Sequence, residues 1–479
     1  MKIPRKRWRK AFGKWFKQVL EEAGIIDYRY PVKGCGVWLP YGFKLRETIL
    51  NVMKKELNVT GHQEVLFPLL IPGGYLRKEA EHIRGFENES FWVTRGGKKR
   101  LAVNLALRPT SETAITPMVK LWARSHAQLP VKLYQIVSVF RYETKATKPL
   151  LRVREVTTFK EAHTFHATHE EAGKQVEEAI GIYRRIFDEL GIPYLVSKRP
   201  DWDKFAGAVY SIAFDTVFPD GKVVQIGTVH DLGQNFSRAF NATFETLSGD
   251  QDYYWQTSYG ISERIVASVM AVHGDDHGLA LPPSVAPIQV MIIPIPYKGW
   301  EDAVYKACKK LAEELNNAGI RAEADLREDV TPGSKYYDLE MRGIPVRIDV
   351  GPKEVESETA VVVKRDTLDR KTCKVIDLAR VVKESLNEVQ ENLKRKAWRW
   401  LHDHVRRVKD LKEGIEFVNK VGGIIEVPYC GNMDCGKELQ DKVGLKVLGV
   451  PVDGFERVKG RCPNCGKKAE DTLRLAKTY

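Results

Sequence analysis

The stretch Leu133–Glu155, LYQIVSVFRYETKATKPLLRVRE, decides how the rest of this 479-residue chain is read. Its apolar start, Leu133–Phe140, reads as a buried strand. Arg141 and Glu143 stand two apart, so a continuing strand would put both on one face. Thr144–Leu150 is polar, contains Pro149 and reads as a hairpin loop, after which Arg152 and Arg154 return with a second strand. Three arginines on one sheet suit the oxygens of a polyphosphate, because each planar guanidinium can bind two of them. A salt-laced surface hairpin would use the same residue types, so the flanking segments matter.

Upstream, Leu107–Thr113 reads LRPTSET and leads into a helix over Ala114–Ala123. Ser111 or Thr110 is placed to cap that helix, with Glu112 at its positive end. The same residues also offer a carboxylate and a hydroxyl to a ligand ammonium. Further upstream, a helix is expected over Phe43–Leu57 and a strand over Glu64–Pro72, whose internal Pro68 marks an edge or an interface. The first 24 residues carry Lys2, Arg5, Lys6, Arg7, Arg9 and Lys10 ahead of Trp15, Phe16, Val19 and Leu20, reading as a short helix with a basic approach, either solvated or touching RNA.

Downstream, Glu161, His163, His166 and His169 raise a metal reading, but i, i+3 and i+6 spacing does not converge the histidines. Thr168 and Glu171 read instead as a capping box for a helix to Leu190, whose apolar stripe is Val176, Ile180, Tyr183 and Phe187. Strands are expected over Tyr210–Phe218 and Lys222–Thr228. Alternation then places Gln225, Gly227 and Val229 on one face and Ile226, Thr228 and His230 on the other. Gly227 would allow close approach of a ligand or mark a bulge, and His230 alone reads as a satisfied core histidine. Thr257–Arg264 opens an apolar helix, Ile265–Val272, and an arginine heading such a helix has little structural use.

A Pro-rich boundary at Ala280–Pro287 separates this region from alternating strands and helices over 288–364, a compact α/β unit with a mixed sheet. Leu378–Leu411 reads as one long helix or a helix pair. Its basic stretch 394–409 carries Trp398 and Trp400 and is either a solvated, packed face or an RNA backbone contact. Cys430, Cys435, Cys462 and Cys465 form two knuckles with glycines beneath them, a structural tetrahedral zinc pattern with no ligand position left open. Cys35, Cys308 and Cys373 read as ordinary residues.

Composition sets the frame. The net charge of +13 favours a polyanionic partner, nucleic acid first. No apolar run approaches the ~20 residues of a membrane span, and no apolar segment follows the basic N-terminus, so neither a membrane span nor a signal peptide is expected and the setting read is cytoplasmic.

Phe140–Glu155 resembles motif 2 of the class II aminoacyl-tRNA synthetases, the helix and Pro-bearing strand over 43–72 resemble motif 1, and Gly260–Arg264 resembles motif 3. Arg342–Glu354 resembles the anticodon-binding domain shared by the histidine, glycine, threonine and proline enzymes. Arg-Pro-Thr-Ser-Glu-Thr at 108–113, Gln225 with Gly227–Phe236, and the cysteine-bearing extension are most similar to prolyl-tRNA synthetases of the archaeal/eukaryotic type. The resemblance implies an α+β and α/β multidomain chain: an antiparallel-sheet catalytic domain at 1–282, an anticodon-binding α/β domain at 283–380 and an α+β zinc-binding domain at 381–479. It implies ATP-dependent formation of prolyl-adenylate, transfer of proline to tRNA(Pro), and a homodimer through the catalytic domain. By resemblance, Arg141, Glu143 and Arg264 are catalytic. Thr110, Glu112, Arg141, Phe159, His163, His230 and Ser258 would hold L-proline. Arg141, Glu143, Arg152, Gln225, Thr228, Ser262 and Arg264 would hold ATP with Mg2+. Tyr479 would reach back toward the site. A pocket sized for proline cannot exclude cysteine or alanine by bulk, so misactivation of both is expected. A threonine or histidine enzyme would need a catalytic-domain zinc triad or a histidine-site motif, neither of which is recognised here. A non-catalytic, RNA-binding or regulatory paralogue would be expected to lose Arg141, Glu143 or Arg264.

Overall fold

The computed structural model describes residues 8–82, 89–452, 454 and 457–479. The cations Lys2, Arg5, Lys6 and Arg7 of the N-terminal basic segment therefore lie outside the described residues. An 11-stranded sheet organises the chain. Its order is Val405–Arg407, Ile424–Tyr429, Asp471–Ala476, Lys446–Pro451, Leu195–Lys198, Tyr210–Val217, Val223–Gly233, Trp255–Ile261, Glu155–His166, Val131–Phe140 and Gln63–Glu64. Pairing is antiparallel except at the two ends, where Gln63–Glu64 runs parallel to Val131–Phe140 and Val405–Arg407 parallel to Ile424–Tyr429.

The helix His169–Glu189 covers one face. Thr168 and Glu171 form the expected capping box, and Val176, Ile180, Tyr183 and Phe187 are buried as the 3.6-residue stripe requires. They pack with Phe214, Val229 and Tyr259 of the sheet and with Ile49 and Met53 of the helix Pro40–Asn58. The other face of the sheet is left for the site.

The expected strand Glu64–Pro72 is broken in two. Gln63–Glu64 joins the large sheet, whereas Leu70–Pro72 pairs with Lys99–Leu107 in a separate three-stranded sheet completed by Trp92–Gly96. Between them Gln135 Oε1 accepts from Phe67 N (2.9 Å), a side chain standing in for a ladder bond beside Pro68.

Residues 290–374 form the expected mixed α/β unit, with a five-stranded sheet ordered Ala322–Ala324, Val290–Pro294, Val346–Val350, Thr359–Lys364 and Arg370–Lys374. The last of these follows the strand expected to close the unit, and its mostly exposed, charged residues conceal it from periodicity. The long helix ends at Asp403 rather than Leu411, and Val405–Arg407 becomes a strand. This helix crosses all three regions: Val382 and Leu386 lie in the α/β core, Ala397 in the catalytic core, and Leu401 beside strands of the C-terminal region. Trp398 packs on Tyr194, and Trp400 Nε1 donates to Val217 O (3.1 Å), so the tryptophans of the basic stretch are turned inward as packing residues.

The C-terminal strands do not form a detached unit. Lys446–Pro451 pairs with Leu195–Lys198 of the catalytic sheet. Buried Arg474 reaches across that junction, donating to Glu426 Oε1 (2.9 Å), Val196 O (2.8 Å) and Ser197 Oγ (3.1 Å). Gly449, at φ 113°, allows the backbones to meet: a Cβ there would lie 2.0 Å from Lys198 O.

Candidate active site

Three adjacent strands set the floor of a cavity of about 380 Å³. Their register aligns His163, Ser258 and His230 in one row and Glu161, Gly260 and Thr228 in the next. All of these face the cavity, because residues two apart on a strand share a face. Gly260 keeps the floor low beneath Phe159, whose ring a Cβ at that position would approach to 3.3 Å.

One end of the cavity is acidic. Thr110 Oγ1 donates to Glu112 and Ser111 Oγ to Glu161, so neither hydroxyl caps the helix Glu112–Trp122, as had been expected of them. Gln135 Nε2 adds a bond to Glu161 Oε1 (2.9 Å). His163 lies between the two acids, Nδ1 3.9 Å from Glu112 and Nε2 3.5 Å from Glu161. Burial works against a charged ring there, but Glu112 and Glu161 outweigh it and raise the His163 pKa. Burial likewise opposes the Glu161 carboxylate, and His163, Ser111 and Gln135 overcome it to hold that pKa below its ordinary value. The carboxyl groups of Glu112 and Glu161 at this end suit a ligand ammonium. His230 is the neutral counterpart. Burial, followed by the charge of His163, takes its pKa down to about 3. Its Nδ1 is 2.8 Å from Ser211 Oγ and its ring stacks on Phe205 at 4.7 Å.

The other end is cationic. Arg141 lies just beyond the strand end at Phe140, with Nε donating to Pro109 O (3.2 Å) and its guanidinium 5.7 Å from the Phe159 ring. Glu143 does not share a sheet face with it, because the strand has ended. Its carboxylate lies 3.9 Å from Arg152 Nε, and its backbone carbonyl accepts from Arg154 Nε (3.3 Å). Arg154 leaves the cluster to lie 4.4 Å over the Tyr142 ring, and its place among three converging arginines is taken by Arg264. Arg264 heads the helix Arg264–His273 and donates to Leu151 O (3.0 Å). Burial, then the neighbouring charges of Arg141 and Arg152, lowers its pKa to about 10. Three mutually repelling guanidinium groups in one cleft make a site for anions.

Gln225 departs from the expected alternation. The register slips at Phe214/Asp215, which pair with Gly227 and Gln225, so Ile226 is the extra residue of a bulge. Gln225 thereby joins Thr228 and His230 on the cavity side. Gly227 does not clear room for a ligand side chain: its missing Cβ would meet Tyr183 at 3.0 Å and Phe187 at 3.1 Å on the helical side.

Thr110, Glu112, Arg141, Glu143, Arg152, Phe159, His163, Gln225, Thr228, His230, Ser258, Ser262 and Arg264 all line this one cavity. Its walls also include Glu161, Arg199, Phe205 and Glu263, to which the sequence assigned no role. Glu161, two residues before His163 on a strand, could have been found by face alone. Arg199 carried no local signal. His166 turns instead to Thr164 Oγ1 (2.8 Å), and His169 to Asp231 (3.2 Å), so the three histidines hold no common ion. Tyr479 does not line the cavity; it donates to Asp220 Oδ2 (2.7 Å), and Lys148 of the hairpin loop sits 4.5 Å over its ring.

Far along the sheet, one sulfur from each of Cys430, Cys435, Cys462 and Cys465 lies within 4.8 Å of the others, a spacing that fits one tetrahedral ion. Cys430 and Cys462 are buried and Cys465 is exposed. None of the four lines the cavity.

Comparison with known proteins agrees with this geometry. Residues 91–273 match the family model described as tRNA synthetase class II core domain (G, H, P, S and T), 289–385 match Anticodon binding domain, and 411–479 match Prolyl-tRNA synthetase, C-terminal. The fold is that of a class II aminoacyl-tRNA synthetase. The chain is 54% identical over 472 residues to a proline–tRNA ligase of Ignicoccus hospitalis, covering 98% of each. It is 52% identical over 482 residues to that of Saccharolobus islandicus, covering 100% of each. Among solved structures, Giardia lamblia prolyl-tRNA synthetase in complex with prolyl-adenylate superposes with a TM-score of 0.94 at 35% identity, covering 100% of both chains. That of Cryptosporidium parvum, complexed with halofuginone and AMPPNP, gives 0.93 at 33% identity, covering 100% of this chain and 97% of the other. The chain belongs to the proline–tRNA ligases and is an enzyme joining proline to tRNA at the expense of ATP.

Proposed function

We propose that the two ends of the cavity divide the first step of that reaction between them. The carrying observation is their opposite charge within one cavity. L-Proline seats its secondary ammonium against Glu112 and Thr110, with Phe159, His163, His230 and Ser258 around the ring. Its carboxylate points to Arg141. A carboxylate oxygen attacks the α-phosphorus of ATP, a new O–P bond forms, and the bond to the bridging oxygen breaks as pyrophosphate leaves with the electron pair. Arg141 neutralises the α-phosphate, and Arg152 and Arg264 the leaving phosphates. Gln225, Thr228 and Ser262 contact the nucleotide, and Glu143 orients the adenine or Arg141. No covalent enzyme intermediate is needed: the residues position reactants and neutralise charge. Mg2+ bound with the nucleotide supplies further neutralisation at the phosphates. A ribose hydroxyl of the terminal adenosine of tRNA(Pro) then attacks the prolyl carbonyl, an ester bond forms, and the acyl–phosphate bond breaks as AMP leaves with the electron pair.

The four cysteines hold a structural Zn2+, since four sulfur donors complete its tetrahedron. We retain the division at residues 282 and 380, supported by an apolar cluster centred in each region, although Val285, Ala286 and Met341 join the first cluster and Val381, Val382 and Leu386 of the long helix the second. A homodimer through the catalytic domain is supported by exposed Leu66, Leu69, Leu70, Trp92, Leu121 and Trp122 on and beside the small sheet. Light scattering that gives a monomer mass at assay concentration would remove it. Among the described residues no helix is long and apolar enough to cross a membrane. The cytoplasm is proposed as the compartment because tRNA is the substrate.

ATP–pyrophosphate exchange, run one amino acid at a time, tests the assignment. Proline is expected to exchange, cysteine and alanine more weakly, and threonine and histidine not at all. Negligible cysteine and alanine exchange would remove misactivation, and exchange with threonine or histidine would overturn the substrate.

A further inference from the structure

We propose that Arg199 is a positioning residue that fixes Gln225 as a hydrogen-bond donor toward the nucleotide and ties that presentation to the seating of the C-terminal strands. The proposal rests on the reading that Gln225 faces ATP. Arg199 follows the strand Leu195–Lys198 and is 6% exposed. One of its terminal nitrogens donates to Asp215 Oδ1 (2.7 Å) and Gln225 Oε1 (3.0 Å), and the other to Leu448 O (2.6 Å).

A free glutamine can turn either its oxygen or its NH2 group to a ligand. Beside Arg199 it has no such choice, because a guanidinium only donates. The amide oxygen must face the arginine, and the two N–H bonds of Nε2 are what Gln225 has left for the cavity it lines. The site therefore selects a hydrogen-bond acceptor of the nucleotide at this point. Asp215 lies directly across from Gln225 in the shifted register, so the bulge that turns Gln225 to the cavity also brings the carboxylate that holds Arg199. The third partner, Leu448 O, belongs to the strand that docks on Leu195–Lys198. Moving that strand would move the guanidinium.

The test uses ATP–pyrophosphate exchange on the full chain, with KM measured for ATP and proline separately. Gln225→Met should raise the ATP KM about tenfold, the size of one hydrogen bond, and leave the proline KM unchanged. Arg199→Met made together with Asp215→Asn removes the buried charges as a pair, which avoids an orphaned carboxylate. It should raise the ATP KM similarly. The triple variant should be no worse than Gln225→Met alone, because the two changes act through one contact. A pair without effect on the ATP KM, or a triple variant about a hundredfold worse than wild type, overturns the positioning role. No effect of Gln225→Met removes the nucleotide reading of Gln225 and this proposal with it. If the pair does not fold, Gln225→Glu decides: its carboxylate still accepts from Arg199 but turns an oxygen to the nucleotide. A rise in ATP KM of at least about tenfold, the cost of replacing a donor by a charged acceptor, is expected, and an unchanged value overturns the donor presentation. Gly449→Ala tests the tie to the C-terminal strands. It should raise the ATP KM in the wild-type background and not beside Gln225→Met, and no change in either would break the tie.

Discussion

The acidic and cationic ends share one cavity but hold their charges differently. At the acidic end each charge has an internal answer: Thr110 on Glu112, Ser111 and Gln135 on Glu161, and His163 between the acids. At the cationic end Arg141, Arg152 and Arg264 line one cleft, and burial, then the charges of the other two, depresses the pKa of Arg264. A prearranged network selects shape and one charge. A cluster of like charges favours a polyanion and works hardest when negative charge develops.

If that contrast is right, the largest effect belongs to Arg141, which stands where the ends meet. Arg141→Ala is expected to lower the exchange rate by about a thousandfold, in the range for losing one preorganised donor to a developing oxyanion. A loss under about tenfold would show that the cationic end is not the charge sink. Glu112→Gln comes next and reads the acidic end alone. It should raise the proline KM about a hundredfold, in keeping with the loss of a buried charged partner, with the ATP KM unchanged. A matching rise in both constants would mean that the two ends are not separate. Removing the metal, by chelation or Cys462→Ser, should lower the midpoint of thermal unfolding while leaving the proline KM within about twofold, since a structural site contributes to folding rather than chemistry.

The smallest expected effect is on pH-dependent stability, measured at Glu263 beside the cationic end. Burial raises its pKa from the ordinary 4.5 to about 7, against the opposing bonds from Thr157. The folded state therefore holds this proton more tightly than the unfolded state. The associated stability is fully present below about pH 4.5 and is lost as pH rises through about 7. Glu263→Gln should flatten that decline and unfold a few degrees higher than wild type above pH 7. Thermal melts of both proteins between pH 4.5 and pH 8 check it, and parallel curves would place the raised proton elsewhere.

Much of this was legible in the chain itself. The capping box at Thr168 and Glu171, the stripe Val176–Phe187 and the four cysteines follow from short-range spacing, and the structure places them as spacing requires. The predicted proline- and ATP-binding residues were carried by family resemblance, and all of them line one cavity. Four things escaped. The strand ending at Phe140 was taken to continue through Glu143, so Glu143 was placed on a face it does not occupy. Glu64–Pro72 was read as one strand, although its halves join different sheets. Ile226 was counted as an ordinary strand residue, which reversed Gln225. Arg199 was not noticed, because its partners Asp215, Gln225 and Leu448 lie 16, 26 and 249 positions away.

The sequence by itself determined the local periods and the residue types with chemistry to offer. Those depend on neighbours within a helical turn or a knuckle. Only the tertiary structure decided which end of the cavity is internally balanced, which side Gln225 faces, and that the C-terminal strands extend the catalytic sheet. Each of those outcomes depends on strand pairing and charge proximity between segments far apart in the chain, and a one-residue bulge is enough to reverse what local alternation implies.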